Sequence, residues 1–199
     1  MTKKELAISL SKMDVFVDAK AYLEQYPTDS EIAADVLWFA YLNNDIEDKV
    51  IADFGAGTGI LGIGCMLLGA KKVYFIESDS KAIDVLKKNL ERVKGDYKII
   101  NSDIGNFDKK VDLIVQNPPF GTKEKHTDVR FLEKAMPLSK TIYTFHKAET
   151  KEFINQYIDR SKHHMTHYFE FDFPIKKSMK QHRKKVEKIR VGCWRLFFS

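Results

Sequence analysis

The chain has 199 residues, 44% of them hydrophobic, which allows one full-sized core and excludes two large domains. No apolar run approaches a membrane span: the longest, Ile60–Leu68, is short and carries glycines. The start, Met1-Thr2-Lys3-Lys4-Glu5, lacks an apolar signal core, and the net charge is only +5, so a cytoplasmic protein without a membrane role is expected.

Lys3–Met13 and Asp18–Tyr26 read as short helices. Pro27-Thr28-Asp29-Ser30 has helix-start chemistry, and Ile32, Val36 and Phe39 then form one stripe of a helix, with Ala33, Leu37 and Ala40 beside it. Val50–Phe54 reads as a buried strand, Gly55–Gly59 as a glycine loop and Ile60–Leu68 as a helix. Lys72–Ile76 is a second strand, Ser80–Val93 a helix burying Ile83, Leu86, Leu90 and Val93, and Tyr97–Ile100 a third strand. Val111–Val115, the fourth, runs into Asn117-Pro118-Pro119-Phe120. Phe131–Met136 (helix), Thr141–Phe145 (strand) and Glu149–Arg160 (helix) follow, and His163–Phe173 and Arg190–Phe198 read as long strands. Such alternation predicts an α/β, Rossmann-like domain: a mostly parallel sheet with helices on both faces and an antiparallel C-terminal edge. Between the last two strands, Lys176, Lys177, Lys180, Arg183, Lys184, Lys185, Lys188 and Arg190 face one acid, Glu187. A local basic stripe this dense points to nucleic-acid phosphates; the bland alternative is a lysine-rich solvated loop.

Asp53-Phe54-Gly55-Ala56-Gly57-Thr58-Gly59 leaves a strand and opens a helix, where glycine permits a sharp turn and close approach of a ligand to the backbone. Glu77 ends the next strand, placed to grip ribose hydroxyls. A nucleoside-containing cofactor follows. Gly57–Gly62 also fits the dinucleotide pattern GxGxxG, but Asp53 beside the loop suits the cationic amino group of S-adenosylmethionine better than a diphosphate. Asp103, after the third strand, is equally a candidate acceptor for the adenine amine and a plain cap.

Asn117, Pro118, Pro119 and Phe120 sit at the carboxyl end of the sheet, where open α/β folds bind ligands. An exocyclic amine conjugated with its ring is a poor nucleophile. A side-chain amide oxygen and a backbone carbonyl can accept its two hydrogens and aim its lone pair at an electrophilic methyl. Prolines stiffen the turn, and an aromatic ring offers a stacking face. Carbon-5 methylation needs a nucleophilic cysteine here; Cys65 and Cys193 instead read as core, too far apart for a disulfide framework and lacking a CxxC for zinc. His163, His164 and His167 alternate faces of one strand and read as no metal site; His146 either reaches the site or packs.

Leu23-Glu24-Gln25-Tyr26-Pro27-Thr28, the glycine loop, Asn117-Pro118-Pro119-Phe120-Gly121-Thr122 and Phe145-His146-Lys147 together resemble methyltransferase-like protein 5 and its archaeal relatives. That resemblance runs over nearly the whole chain. It implies a seven-stranded class I methyltransferase fold and methylation of adenine N6 in ribosomal RNA. It implies one domain over 1–199, with residues 1–45 covering the cofactor site and 46–199 forming the core. It implies cofactor contacts at Gln25, Thr28, Gly55, Thr58, Ile60, Glu77, Asp103 and Ile104, beside Asp53, Gly57 and Gly59 from the loop itself. Eukaryotic members have Cys at positions 56 and 58 and Asp at 77, where this chain has Ala56, Thr58 and Glu77, and they pair with a small zinc-binding methyltransferase activator protein. Competing readings are protein glutamine methylation, DNA adenine methylation, and an RNA-binding module with an inactive cofactor site.

Overall fold

The computed structural model describes residues 1–15, 28–120, 127–175 and 187–198. The predicted helix Asp18–Tyr26, Gln25, and the basic residues Lys176, Lys177, Lys180, Arg183, Lys184 and Lys185 lie outside them. Helix α1 (Lys3–Ser11) opens on a reciprocal cap: the Thr2 hydroxyl accepts from the Glu5 amide, and the Glu5 carboxylate from the Thr2 amide. Asp29 caps α2 (Ser30–Leu42) by accepting from the Glu31 and Ile32 amides, as the helix-start chemistry predicts.

The alternating segment follows as β1 (Val50–Phe54), α3 (Ile60–Leu67), β2 (Lys72–Glu77), α4 (Ser80–Leu90), β3 (Tyr97–Asn101), β4 (Val111–Gln116), α5 (Thr127–Ala135), β5 (Ser139–Lys147), α6 (Lys151–Asp159), β6 (His163–Ile175) and β7 (Glu187–Phe198). The sheet has seven strands in the order β3-β2-β1-β4-β5-β7-β6. β1 to β5 run parallel, and β7 is antiparallel to both β5 and β6. Period-two alternation divides the core between the two faces. Ile51, Leu113 and Val115 join Leu10, Leu37 and Ile63 on one face; Phe54, Ile114 and Ile142 join Leu132, Ile154 and Trp194 on the other.

Helix α4 stops at Leu90, short of the predicted Val93. Val93 still packs on the core, but from a turn closed by Gly95, so burial imitates a continued helical stripe. One partly buried clamp ties the chain together: Arg195 on β7 donates twice to Asp45, before β1, and the Tyr143 hydroxyl on β5 donates to the same carboxylate.

Candidate active site

β1 and β4 are neighbours, so the glycine loop after β1 and the Asn117–Phe120 turn after β4 meet at the carboxyl end of the sheet. Gly57 and Gly59 both have positive φ, for different reasons. A Cβ on Gly59 would strike Leu86 at 2.3 Å, whereas one on Gly57 would meet nothing closer than 4.0 Å. Gly59 is closed by packing; Gly57 faces open space, a cradle that a side chain would fill.

Amides at both ends of the loop are already taken. Glu77 accepts from Gly57 at 2.8 Å through one carboxylate oxygen and from Ser78 and Asp79 through the other. Asp53 accepts from Gly62, in the first turn of α3, at 2.8 Å. Asp53 and Glu77 are both buried, and burial pushes Asp53 up to about 7, the Gly62 bond opposing the rise and the neighbouring Glu77 charge adding to it. A diphosphate needs those amides and would meet two carboxylates instead. A cation fits, so the donor set matches the ammonium and ribose of S-adenosylmethionine rather than a dinucleotide.

Asp103 accepts from the Gly105 amide at 2.7 Å, capping the 3-10 turn Ile104–Asn106, and forms an ion pair with Arg130 on α5. These contacts hold its carboxyl below the usual range despite desolvation. Asp103 is therefore a cap, acting through one carboxylate oxygen. Ile60 and Ile104 are buried in opposite-face core clusters, and Thr58 is buried in the loop.

In the acceptor turn, Asn117 Nδ2 donates to the Thr28 hydroxyl at 3.0 Å. That bond fixes the amide plane and hence the direction of its oxygen. Thr28, assigned to the cofactor by resemblance, is thus a partner of the acceptor motif. Thr28→Val, nearly equal in shape, is expected to lower kcat about tenfold with little change in cofactor Kd; a larger loss in Kd than in kcat, measured by calorimetry and single-turnover kinetics, would return Thr28 to the cofactor. Phe120 is 8% exposed and belongs to the core cluster that also holds Ala56, Ile60 and Tyr143, which anchors the ring beside the acceptor turn.

His146 is fully buried, with its ring edge-on to Trp194, and so packs rather than lining the site. Gln116 donates to the Thr144 hydroxyl at 3.0 Å, which lies 2.8 Å from His146 Nε2; this chain backs the acceptor turn, and sequence reasoning missed its first two members. It also missed Asn89 on α4. Its amide donates to the carbonyls of Thr58 and Asp14 and accepts from the Asp14 amide, fastening the N-terminal arm to the glycine loop. The only sign was polar residues at core-facing positions. Both thiols are buried and pushed upward, which leaves no thiolate at the acceptor turn. His163 faces the Ser139 carbonyl, while His167 packs against Phe39.

β6 runs toward the carboxyl end and β7 returns from it, so the residues flanking 176–186 lie at the same end as Asn117. Lys188 and Arg190, read as part of the basic stripe, pair across the hairpin with Asp172 and Glu170.

Residues 31–140 match the model of the methyltransferase small domain. MJ0284 of Methanocaldococcus jannaschii is 37% identical, over 98% of this chain and 93% of its own. The rRNA N(6)-adenosine-methyltransferase METTL5 of Danio rerio is 33% identical over 96% of each. A solved structure of PH1948 from Pyrococcus horikoshii, proposed to be an RNA methyltransferase, is 44% identical and covers all of this chain and 98% of its own, with a TM-score of 0.91. With the fold, the acidic glycine loop and the Asn117–Phe120 turn in agreement, the chain belongs to the methyltransferase small domain family and, within it, groups with the METTL5-type methyltransferases.

Proposed function

We propose that this protein is a cytoplasmic methyltransferase that uses S-adenosyl-L-methionine to methylate adenine N6 in structured ribosomal RNA. The observation that carries the reading is the pairing of an amide-occupied, doubly acidic glycine loop with Asn117 held by Thr28 on the neighbouring strand end. When bound, S-adenosylmethionine supplies an electrophilic methyl group on a sulfonium.

The protein's residues do the rest by placement. Asp53 answers the ammonium, Glu77 accepts from ribose hydroxyls, and Gly57 lets the backbone come close. Asn117 and the Pro118 carbonyl accept the two hydrogens of the target amine, so its lone pair points along the transfer direction. No strong base is required, since the methylated amine is acidic until it sheds a proton to solvent. Lys176, Lys177, Lys180, Arg183, Lys184 and Lys185 are assigned to RNA phosphates. The zinc-binding activator of the eukaryotic relatives is a further proposed partner; β3 and β6, the two edges of the sheet, are where a second chain can add a strand. No described helix is long and apolar enough to cross a membrane.

Incubating the protein with methyl-labelled cofactor and separate pools of ribosomal RNA, transfer RNA, DNA and protein should place label in N6-methyladenosine of ribosomal RNA. Label in protein glutamine or DNA alone would overturn the substrate.

A further inference from the structure

At the opposite end of the sheet, under the amino ends of β1, β4 and β5, a cleft of about 880 Å³ is bordered by Lys49, Lys110, Lys140 and Lys162 and by Phe197 and Phe198 from the end of β7. Two carboxylates also line it. Asp45 is already committed to Arg195 and Tyr143, which leaves Asp112, whose oxygen accepts from the Val50 amide. Among the described residues none of the four lysines is in an ion pair. Lys110, Lys140 and Lys162 are exposed, and Lys49 is half-buried.

The four lysines come from four separate segments: the α2–β1 connection, the approach to β4, the start of β5, and the α6–β6 connection. An enclosed site for one small anion would gather buried cations or converging amides on it. Mobile, strongly hydrated ammonium groups around a partly aromatic cleft suit a track of phosphodiesters instead. β4 separates this cleft from Asn117 by six residues, roughly 20 Å at strand rise. We propose that the cleft is a second RNA-binding site, engaged by the phosphate backbone of a folded RNA while another part of the same molecule offers its adenine at the acceptor turn. The inference rests on RNA being the substrate.

The test compares wild type with a K110E/K140E/K162E variant and with a charge-matched control on the exposed face of α4, K81E/K87E/K88E. Binding is measured at three salt concentrations to a folded ribosomal RNA fragment and to an oligoadenylate too short to span the sheet. The cleft variant should lose at least about tenfold in affinity for the folded RNA, and its salt slope should flatten by about two units for three phosphate contacts. Its affinities for oligoadenylate and S-adenosylhomocysteine, and its melting temperature, should match wild type, and the control should keep the wild-type slope. An unchanged slope in the cleft variant, or an equal loss in the control, overturns the site. Wild type that binds neither RNA overturns the substrate reading, and the cleft falls with it.

Discussion

Asn117→Ala is expected to reduce kcat for methyl transfer by about 10²- to 10³-fold, the size of effect seen when one preorganised hydrogen-bonding group is removed from a reacting centre. The reasoning is geometric. The Thr28 bond to Nδ2 holds the amide in one plane before substrate arrives, so its oxygen needs no reorganisation to receive the amine. Asn117 lies after β4, whereas Asp53 and Glu77, which we assign to the cofactor, come from β1 and β2. Affinity for S-adenosylhomocysteine should therefore stay within about threefold of wild type, because the lost interaction belongs to the transition state. A variant that turns over at the wild-type rate under saturating cofactor would remove Asn117 from the chemistry.

Asp53→Asn should produce two large effects of opposite sign. Removing the carboxylate that we assign to the cofactor's ammonium is expected to cost about 2–5 kcal/mol of binding, on the order of 30-fold to several thousand-fold in Kd. Stability of the ligand-free protein should move the other way above neutrality. Asp53 titrates at about 7 when folded and near 3.9 when unfolded, so the folded state holds the extra proton between those values. Stability from this group is thus lost as pH rises from about 4 to 7, up to about 4 kcal/mol, and does not return above it. Asn keeps an acceptor for the Gly62 amide without that burden. Melting curves should show the variant above wild type at pH 8, with the gap closing toward pH 4. In wild type, cofactor affinity should rise through about pH 7 as Asp53 ionises, then fall near 8 as the ligand's amino group deprotonates. Affinity independent of pH between 6 and 7 would contradict this role for Asp53.

What was legible in the sequence was what local spacing encodes. Val50–Phe54 with its glycine loop, and Val111 running into Asn117-Pro118-Pro119-Phe120, stand where strand periodicity and turn chemistry place them. Buried polar partners were not legible, because their bonds close over long separations. Asn89 reaches Asp14 and Thr58, and Gln116 meets Thr144, through contacts that only the packed sheet creates. Arg130 was silent for the same reason: nothing in the helix pattern of α5 indicates that it will face Asp103. Phe120 stands where the motif places it, but its 8% exposure within a core cluster is set by the packed sheet and not by the motif.

The strand order bears on how the protein is made. β7 follows β5 and β6 in the chain, but it lies between them. Until its 12 residues clear the ribosomal exit tunnel, β5 has no partner on one side and β6 has none at all. The Asp45 carboxylate must likewise wait for Arg195, 150 residues downstream. A nascent chain with five parallel strands assembled therefore exposes a raw sheet edge and the waiting aromatic residues of β6, the kind of surface that aggregates or recruits a chaperone. Completion of the sheet waits on β7, and loss of that strand should harm yield in cells more than its share of the chain suggests.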